Sequence, residues 1–205
     1  MKINIIALIF LIVLGILSFY NLYNYLDISF YDEANYMYRG LYLGKVYVEP
    51  ENGGFYSIWY FFLSFFQSNP VSLYYLNGAI TIILPAIFLF FTLKAYKVNT
   101  IISWTFSIFL MYSTLNVTNW PRVSNFCICF ILLGLILFKK TNSQFLKFYF
   151  LTFISFIVSY IRPEFFISFL FLVPISIAFL LKKDSRKKKT NYFLIAFFYR
   201  YSNNS

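Results

Sequence analysis

Of the 205 residues, 60% are apolar, one in four is aromatic and only 12% are charged. That balance excludes an ordinary water-soluble domain, where about a quarter of the residues carry charge, and makes lipid the solvent for most of the chain. The formal net charge of +10 does not point to nucleic acid. The basic residues lie in short connections between apolar runs, the pattern that reports orientation in a membrane.

The first apolar run, Ile3 to about Tyr20, follows a single Lys2. No small-residue cleavage site follows it, only "SFYNLYNYL", so a retained signal-anchor helix is expected. A polar stretch then holds Asp27, Asp32, Glu33, Glu49 and Glu51 before "FYSIWYFFLSFF", Phe55 to Phe66. That segment is too short to cross at about 20 residues per span. Its Trp, Tyr and Phe content predicts a helix lying in the interface. Further spans are expected at Leu73–Leu93, Thr100–Val117, Val123–Phe138, Phe148–Ile161 and Phe165–Leu181, with Pro85 and Pro174 tolerated as kinks. Cys127 and Cys129 point to different faces of a helix and read as small core residues. With no His in the chain, there is no Cys/His metal spacing; no cofactor and no metal-ligating residue are assigned, and a divalent-cation requirement is left open.

The expectation is therefore an all-α, polytopic integral membrane protein. It forms a single membrane domain over 1–205, with about six transmembrane helices and interfacial helices in a first outer loop, 21–70. A last apolar run, Tyr192–Tyr199, is cut off by "RYSNNS". Placing the amino terminus in the cytoplasm puts Lys2, Lys94, Lys97, Lys139, Lys140, Lys147 and the "KKDSRKKK" block inside. Only Arg39, Lys45, Arg122 and Arg162 are left outside, as the positive-inside rule requires. The Phe, Ile, Lys, Asn and Tyr richness suits an AT-rich microbial genome, and a bacterial inner membrane is the expected location.

The outer loop carries the chemistry. Over Ser29–Leu43, a helix would be capped by Ser29 and ended by Gly44. Phe30, Ala34, Met37 and Leu41 would form its apolar stripe, with Asp32 and Arg39 opposite and Glu33 to one side. The plain reading of Asp32 and Glu33 is that they favour the positive end of the helix dipole, worth up to about 1 kcal/mol. Two later segments add to it. "NWPR", ending in Arg122, and "YIRPEFF", with Arg162 and Glu164, each place an arginine at the outer boundary. Their plain reading is snorkelling, or pairing of Arg162 with Glu164, with Pro163 as a helix-start residue.

Taken together, "YDEANYMYRGLYLGKVYV", "GGFYSIWYFFLSFF" and the flanking spans resemble the C-type membrane glycosyltransferases. The likeness is to the polyprenyl- or dolichyl-phosphate-sugar-dependent branch that includes protein O-mannosyltransferases and lipid A aminoarabinose transferases. The resemblance covers roughly Ile3 to Leu181. In place of that family's proline-rich segment the chain has "VEPENGGFYSIWY". The resemblance implies transfer of a sugar from a polyprenyl-phosphate donor to an acceptor hydroxyl on the extracytoplasmic face. Asp32 would be the base, with Glu33 or Tyr36 orienting the acceptor. Arg122 and Arg162 would hold the phosphate, with Arg39 a weaker partner and Glu164 a further substrate-binding residue. The expected partners are membrane lipid and the polyprenyl-linked sugar. Two other readings are an O-antigen polymerase or ligase and a non-catalytic, truncated membrane protein. The first usually keeps its functional loop late in the chain.

Overall fold

The computed structural model describes residues 2–22, 31–45, 54–117 and 123–184. Among them the chain is helical and contains no strand. Eight α-helices follow in order. These are α1 (Lys2–Leu22), α2 (Tyr31–Leu41), α3 (Gly54–Ser64), α4 (Pro70–Ala95), α5 (Thr100–Val117), α6 (Val123–Lys140), α7 (Gln144–Ile161) and α8 (Phe166–Asp184). Ser29, Phe30, Arg122 and the run Tyr192–Tyr199 lie outside the described residues.

The helix ends follow local rules. Asn69 caps α4 by accepting the Ser72 N–H at 3.2 Å, and Pro70 occupies the first position, where no N–H is needed. At the other end Lys97 takes the left-handed conformation, φ 63°. The Val98 and Lys97 N–H groups bond the Leu93 and Lys94 carbonyls, the pattern of a Schellman stop. Gly44, φ 76°, closes the turn after α2, as its place in the sequence predicts. Arg162 is extended, its N–H closing the last turn of α7, and Pro163 opens the short 3₁₀ turn that leads into α8.

Three helices, α4, α6 and α7, are long and apolar enough to cross a membrane. The exterior suits lipid rather than water. Phe10, Ile101, Phe109, Ile167 and Phe171 each expose more than half of their surface, which a water-soluble protein would bury. The interior has two cores that share α4. Leu11 of α1 and Met111 of α5 pack with Ile82, Ala86 and Phe90 of α4. Nearer the other end, Tyr56 and Tyr60 of α3 pack with Leu73, Val123, Phe126 and Ile161 of α4, α6 and α7.

The bundle has two chemically different ends. At one, the Thr100 hydroxyl bonds Asn4 at 2.8 Å and accepts from the Lys94 ammonium at 3.0 Å. Lys139 lies over the Tyr96 ring and Lys147 over the Phe138 ring. These contacts gather the starts of α1, α5 and α7 with the ends of α4 and α6. The opposite end holds α2 and α3, the starts of α4 and α6, and the Arg162 turn.

At this second end the inner face of α3 is buried, with Tyr56, Ser57, Tyr60 and Leu63 covering the ends of α4, α6 and α7, while Phe55 and Phe62 on its outer face stay exposed. The inner face of α2 is rotated from the expected apolar stripe and shares only Met37 and Leu41 with it. Glu33 and Gly40 are buried, with Tyr36 and Met37 packed beside them. Arg39, expected on the exposed face, is 92% buried and donates from Nε to Asn35 at 3.2 Å. The reason is the closeness of α2 to α3 at Gly40. A Cβ there would stand 2.6 Å from the Ser57 carbonyl oxygen and 2.5 Å from Tyr60 Cβ.

Gly40→Ala is expected to lower the apparent melting temperature in detergent, at a cost of about 1–3 kcal/mol, because a backbone carbonyl cannot turn away. Gly54→Ala is the control, since nothing lies within 4 Å of the added methyl. Equal midpoints for the two variants would contradict the close approach of α2 and α3.

Candidate functional site

The acidic pair of α2 is split by the helix. Successive residues turn by about 100°, so Asp32 stands exposed while Glu33 points inward and is 2% exposed. A carboxylate in an apolar interior must be satisfied or neutralised. Tyr56 donates to Glu33 Oε1 at 2.7 Å, Tyr60 donates to the same oxygen, and Asn77 Nδ2 lies 3.0 Å from it. Among the described residues, every hydrogen bond to this carboxyl ends on Oε1.

The direction of each bond follows from chemistry. The Trp59 indole can only donate, and it donates to Asn77 Oδ1 at 2.8 Å. That turns the Asn77 amino group toward the tyrosines, whose hydroxyls accept from it at 2.7 Å each. Each hydroxyl then has one proton left, and both protons point at Glu33. The network is ordered from Trp59 through Asn77 and the two tyrosines to the carboxyl. It ties α2 to α3 and α4.

The sequence permits this geometry because Tyr56, Trp59 and Tyr60 recur at helical spacing along one face of α3. Ring contacts fix them further. Tyr56 packs edge-on to Tyr36 and Tyr60, and both Tyr56 and Trp59 pack on Phe126 of α6.

Burial dominates the electrostatics. It pushes the Glu33 carboxyl up to about 7, against the pull of the bonds from Tyr60, Tyr56 and Asn77, with exposed Asp32 adding slightly to the rise. Both Tyr56 and Tyr60 are held well above the ordinary phenol value, first by burial.

Around this anchor the charged residues gather. The half-buried Tyr36 hydroxyl is raised by burial and lowered by Arg162, and it also feels Asp32, Glu33 and Arg39. One phenol thus senses four of the residues singled out from sequence. Arg162 donates from Nη2 to Ser124 of α6 at 3.0 Å. Its Nη1 lies 3.5 Å from Glu164, whose side chain is 70% exposed. The Arg162 Nε is shielded from water and bonds nothing among the described residues. A guanidinium carries five N–H donors, so Arg162 retains capacity for an anion. Arg122 falls outside the described residues.

Helices α7 and α8, joined through the Arg162 turn, enclose a groove of about 420 Å³. Phe145, Tyr149, Phe153, Phe156 and Phe169 line it, with Thr152 and Ser176 hydroxyls 2.6 Å apart. Among the described residues, no three His, Cys, Asp or Glu come together as metal ligands.

Searches of family models, of curated proteins and of solved structures find no match to the chain. Reading the sequence missed Tyr56, Trp59, Tyr60, Asn77 and Ser124. Asn77 did carry a signal, as a lone amide in the apolar stretch "SLYYLNGAITIIL", since polar groups inside a membrane span are costly and retained for a purpose.

The raised Glu33 carboxyl makes stability depend on pH. At acid pH, below the ordinary carboxyl value, the group is neutral whether folded or unfolded, and its favourable contribution is fully present. That contribution is lost as pH rises through about 7. The chain has no histidine to mask the effect. The apparent melting temperature is expected to fall between pH 5 and pH 8.5 in wild type. It is expected to stay nearly flat in Glu33→Gln, which imitates the neutral acid. Parallel curves would assign the slope elsewhere.

Proposed function

We propose that the protein transfers a sugar from a polyprenyl-phosphate donor to an acceptor hydroxyl at the α2–α3 end of the bundle. In this reading the six longer helices cross the membrane. The lysine end lies in the cytoplasm and the Asp32 end faces the extracytoplasmic side. The observation that carries the proposal is the arrangement around Tyr36. An exposed carboxylate, a phenol and an arginine with spare donors share one end of a lipid-suited bundle.

Asp32 is the base. It stands exposed on the first turn of α2, whereas Glu33 is enclosed by its tyrosines. In the step itself, Asp32 takes the acceptor O–H proton as the oxygen bonds the anomeric carbon. The bond from that carbon to the phosphate oxygen breaks, and polyprenyl phosphate leaves with the electron pair. No acid is needed at the leaving oxygen, because the phosphate departs as an anion. Positive charge is needed there, and Arg162 supplies it in the bidentate form that suits phosphate. Arg39 is a poorer candidate because it is buried and engaged with Asn35. Single displacement would invert the anomeric centre. The aromatic groove between α7 and α8 offers an apolar bed for the donor's tail, with Phe156 the lining residue of α7 nearest in sequence to Arg162.

Asp32→Asn is expected to lower sugar transfer from a polyprenyl-phosphate donor in membranes by about 10²–10⁴-fold, the usual worth of a general base. Glu33→Gln should retain most of the rate, and Arg162→Lys should lose much of it. Normal turnover by Asp32→Asn would refute the assignment of the base. Orientation has its own test. In a background lacking Cys127 and Cys129, a cysteine at exposed Lys45 should react with an impermeant reagent on intact cells. One at exposed Lys140 should react only after permeabilisation. The reverse result would overturn the topology.

A further inference from the structure

At the lysine end, α1 and α5 leave a groove of about 280 Å³ between them, lined by Ile6, Ala7, Phe10, Thr100, Ile101 and Trp104. Its outer wall is strongly apolar and open. Ile6, Phe10 and Ile101 expose 56%, 58% and 73% of their surface. The groove's polar edge is built from three elements. The Lys94 ammonium donates to the Val98 carbonyl at 2.8 Å and to the Thr100 hydroxyl at 3.0 Å, and Thr100 donates to Asn4 at 2.8 Å. An ammonium has three N–H donors, so one remains after these contacts. Exposed Lys97 follows in the next turn. No acidic residue occurs anywhere in α1, α4 or α5, so nothing on the groove's own helices offsets these two charges. One helical turn inward from Thr100, the Trp104 ring forms part of the groove wall, while its indole N–H is shielded from water and has no acceptor among the described residues.

From the bundle end inward, the order is therefore cation, hydroxyl and hydrocarbon wall. A glycerophospholipid presents the matching order of phosphate, glycerol and acyl chain. We propose that the groove between α1 and α5 is a binding site for an anionic phospholipid, with its phosphate at Lys94 and one acyl chain against Phe10 and Trp104. The unbalanced lysines select an anionic over a zwitterionic headgroup. The site lies at the opposite end of the bundle from Asp32 and does not rest on sugar transfer.

The test uses the full chain reconstituted in vesicles of phosphatidylcholine and phosphatidylglycerol, with either lipid brominated on its acyl chains. Bromine quenches tryptophan emission on contact, and subtracting the signal of Trp104→Phe isolates Trp104. The expected preference for phosphatidylglycerol is about fivefold, the worth of one lysine near a membrane surface. Lys94→Gln should bring that preference close to unity. Ala7→Phe, which fills the groove, should reduce quenching by both lipids. Equal binding of the two lipids by wild type would overturn the proposal. So would a preference that survives Lys94→Gln, even if Ala7→Phe fails to fold.

Discussion

The second end of the bundle depends on one buried carboxyl. An ionised Glu33 without partners would cost several kcal/mol in such a place. The cost is met in two ways, by the donors converging on Oε1 and by a carboxyl raised to about 7. Because those donors come from α3 and α4, satisfying one side chain fixes three helices. The apolar contacts of α2 through Tyr36, Met37 and Leu41 would hold the helix loosely in rotation, since hydrophobic burial is non-directional. The carboxyl sets its angle. Gly40 then admits the α3 backbone on the same face, two turns later.

Helix α4 connects this anchor to the rest of the molecule. Its 26 residues make it the longest helix described, and both cores are built against it. Near its start it provides Asn77 to the Glu33 network, and near its end it provides Lys94 to the groove between α1 and α5. Those two residues are separated by about 25 Å along the axis, at 1.5 Å per residue, which is most of a bilayer core. One element thus carries a neutral polar group at the acidic end and a cation at the basic end. Pro85 between them lies in the buried face, where neighbouring helices can compensate for its missing N–H.

Much of the fold was legible in the sequence. The apolar segments are long, and their ends carry Pro, Asn, Gly or Lys, so the helices were placed within a few residues of their observed bounds. The faces of the short helices were harder to read. Periodicity scored Phe30, Ala34, Met37 and Leu41 as the inner stripe of α2. The observed face passes through Glu33 and Gly40, one charged and one without a side chain, and both invisible to a hydrophobic pattern. Arg39 was misplaced for the same reason. The aromatic run of α3 fits an interface as well as a core, because Tyr and Trp have an apolar body and a polar tip. Only the partners of their tips decide between the two, and those partners lie 23 and 18 residues away in the chain. Such distant pairings leave no local trace.

The side-by-side placement of Asp32 and Glu33 then has a physical explanation. Two carboxylates four residues apart would share one helix face and meet the same environment. Adjacent ones cannot. On α2 the first-turn position favours negative charge on both through the helix dipole, yet burial overrides that effect for Glu33 alone. The result is a neutral or half-charged anchor next to an exposed Asp32, with the backbone of one rigidly held by the side chain of the other. Moving Glu33 one position either way would turn it about 100° from Asn77 and the tyrosines. The helix would lose its rotational lock, and the position of Asp32 relative to Tyr36 and Arg162 would no longer be defined. In the proposed transfer reaction the pair would divide holding from presenting, since Glu33 is buried in its network and Asp32 stands exposed beside it.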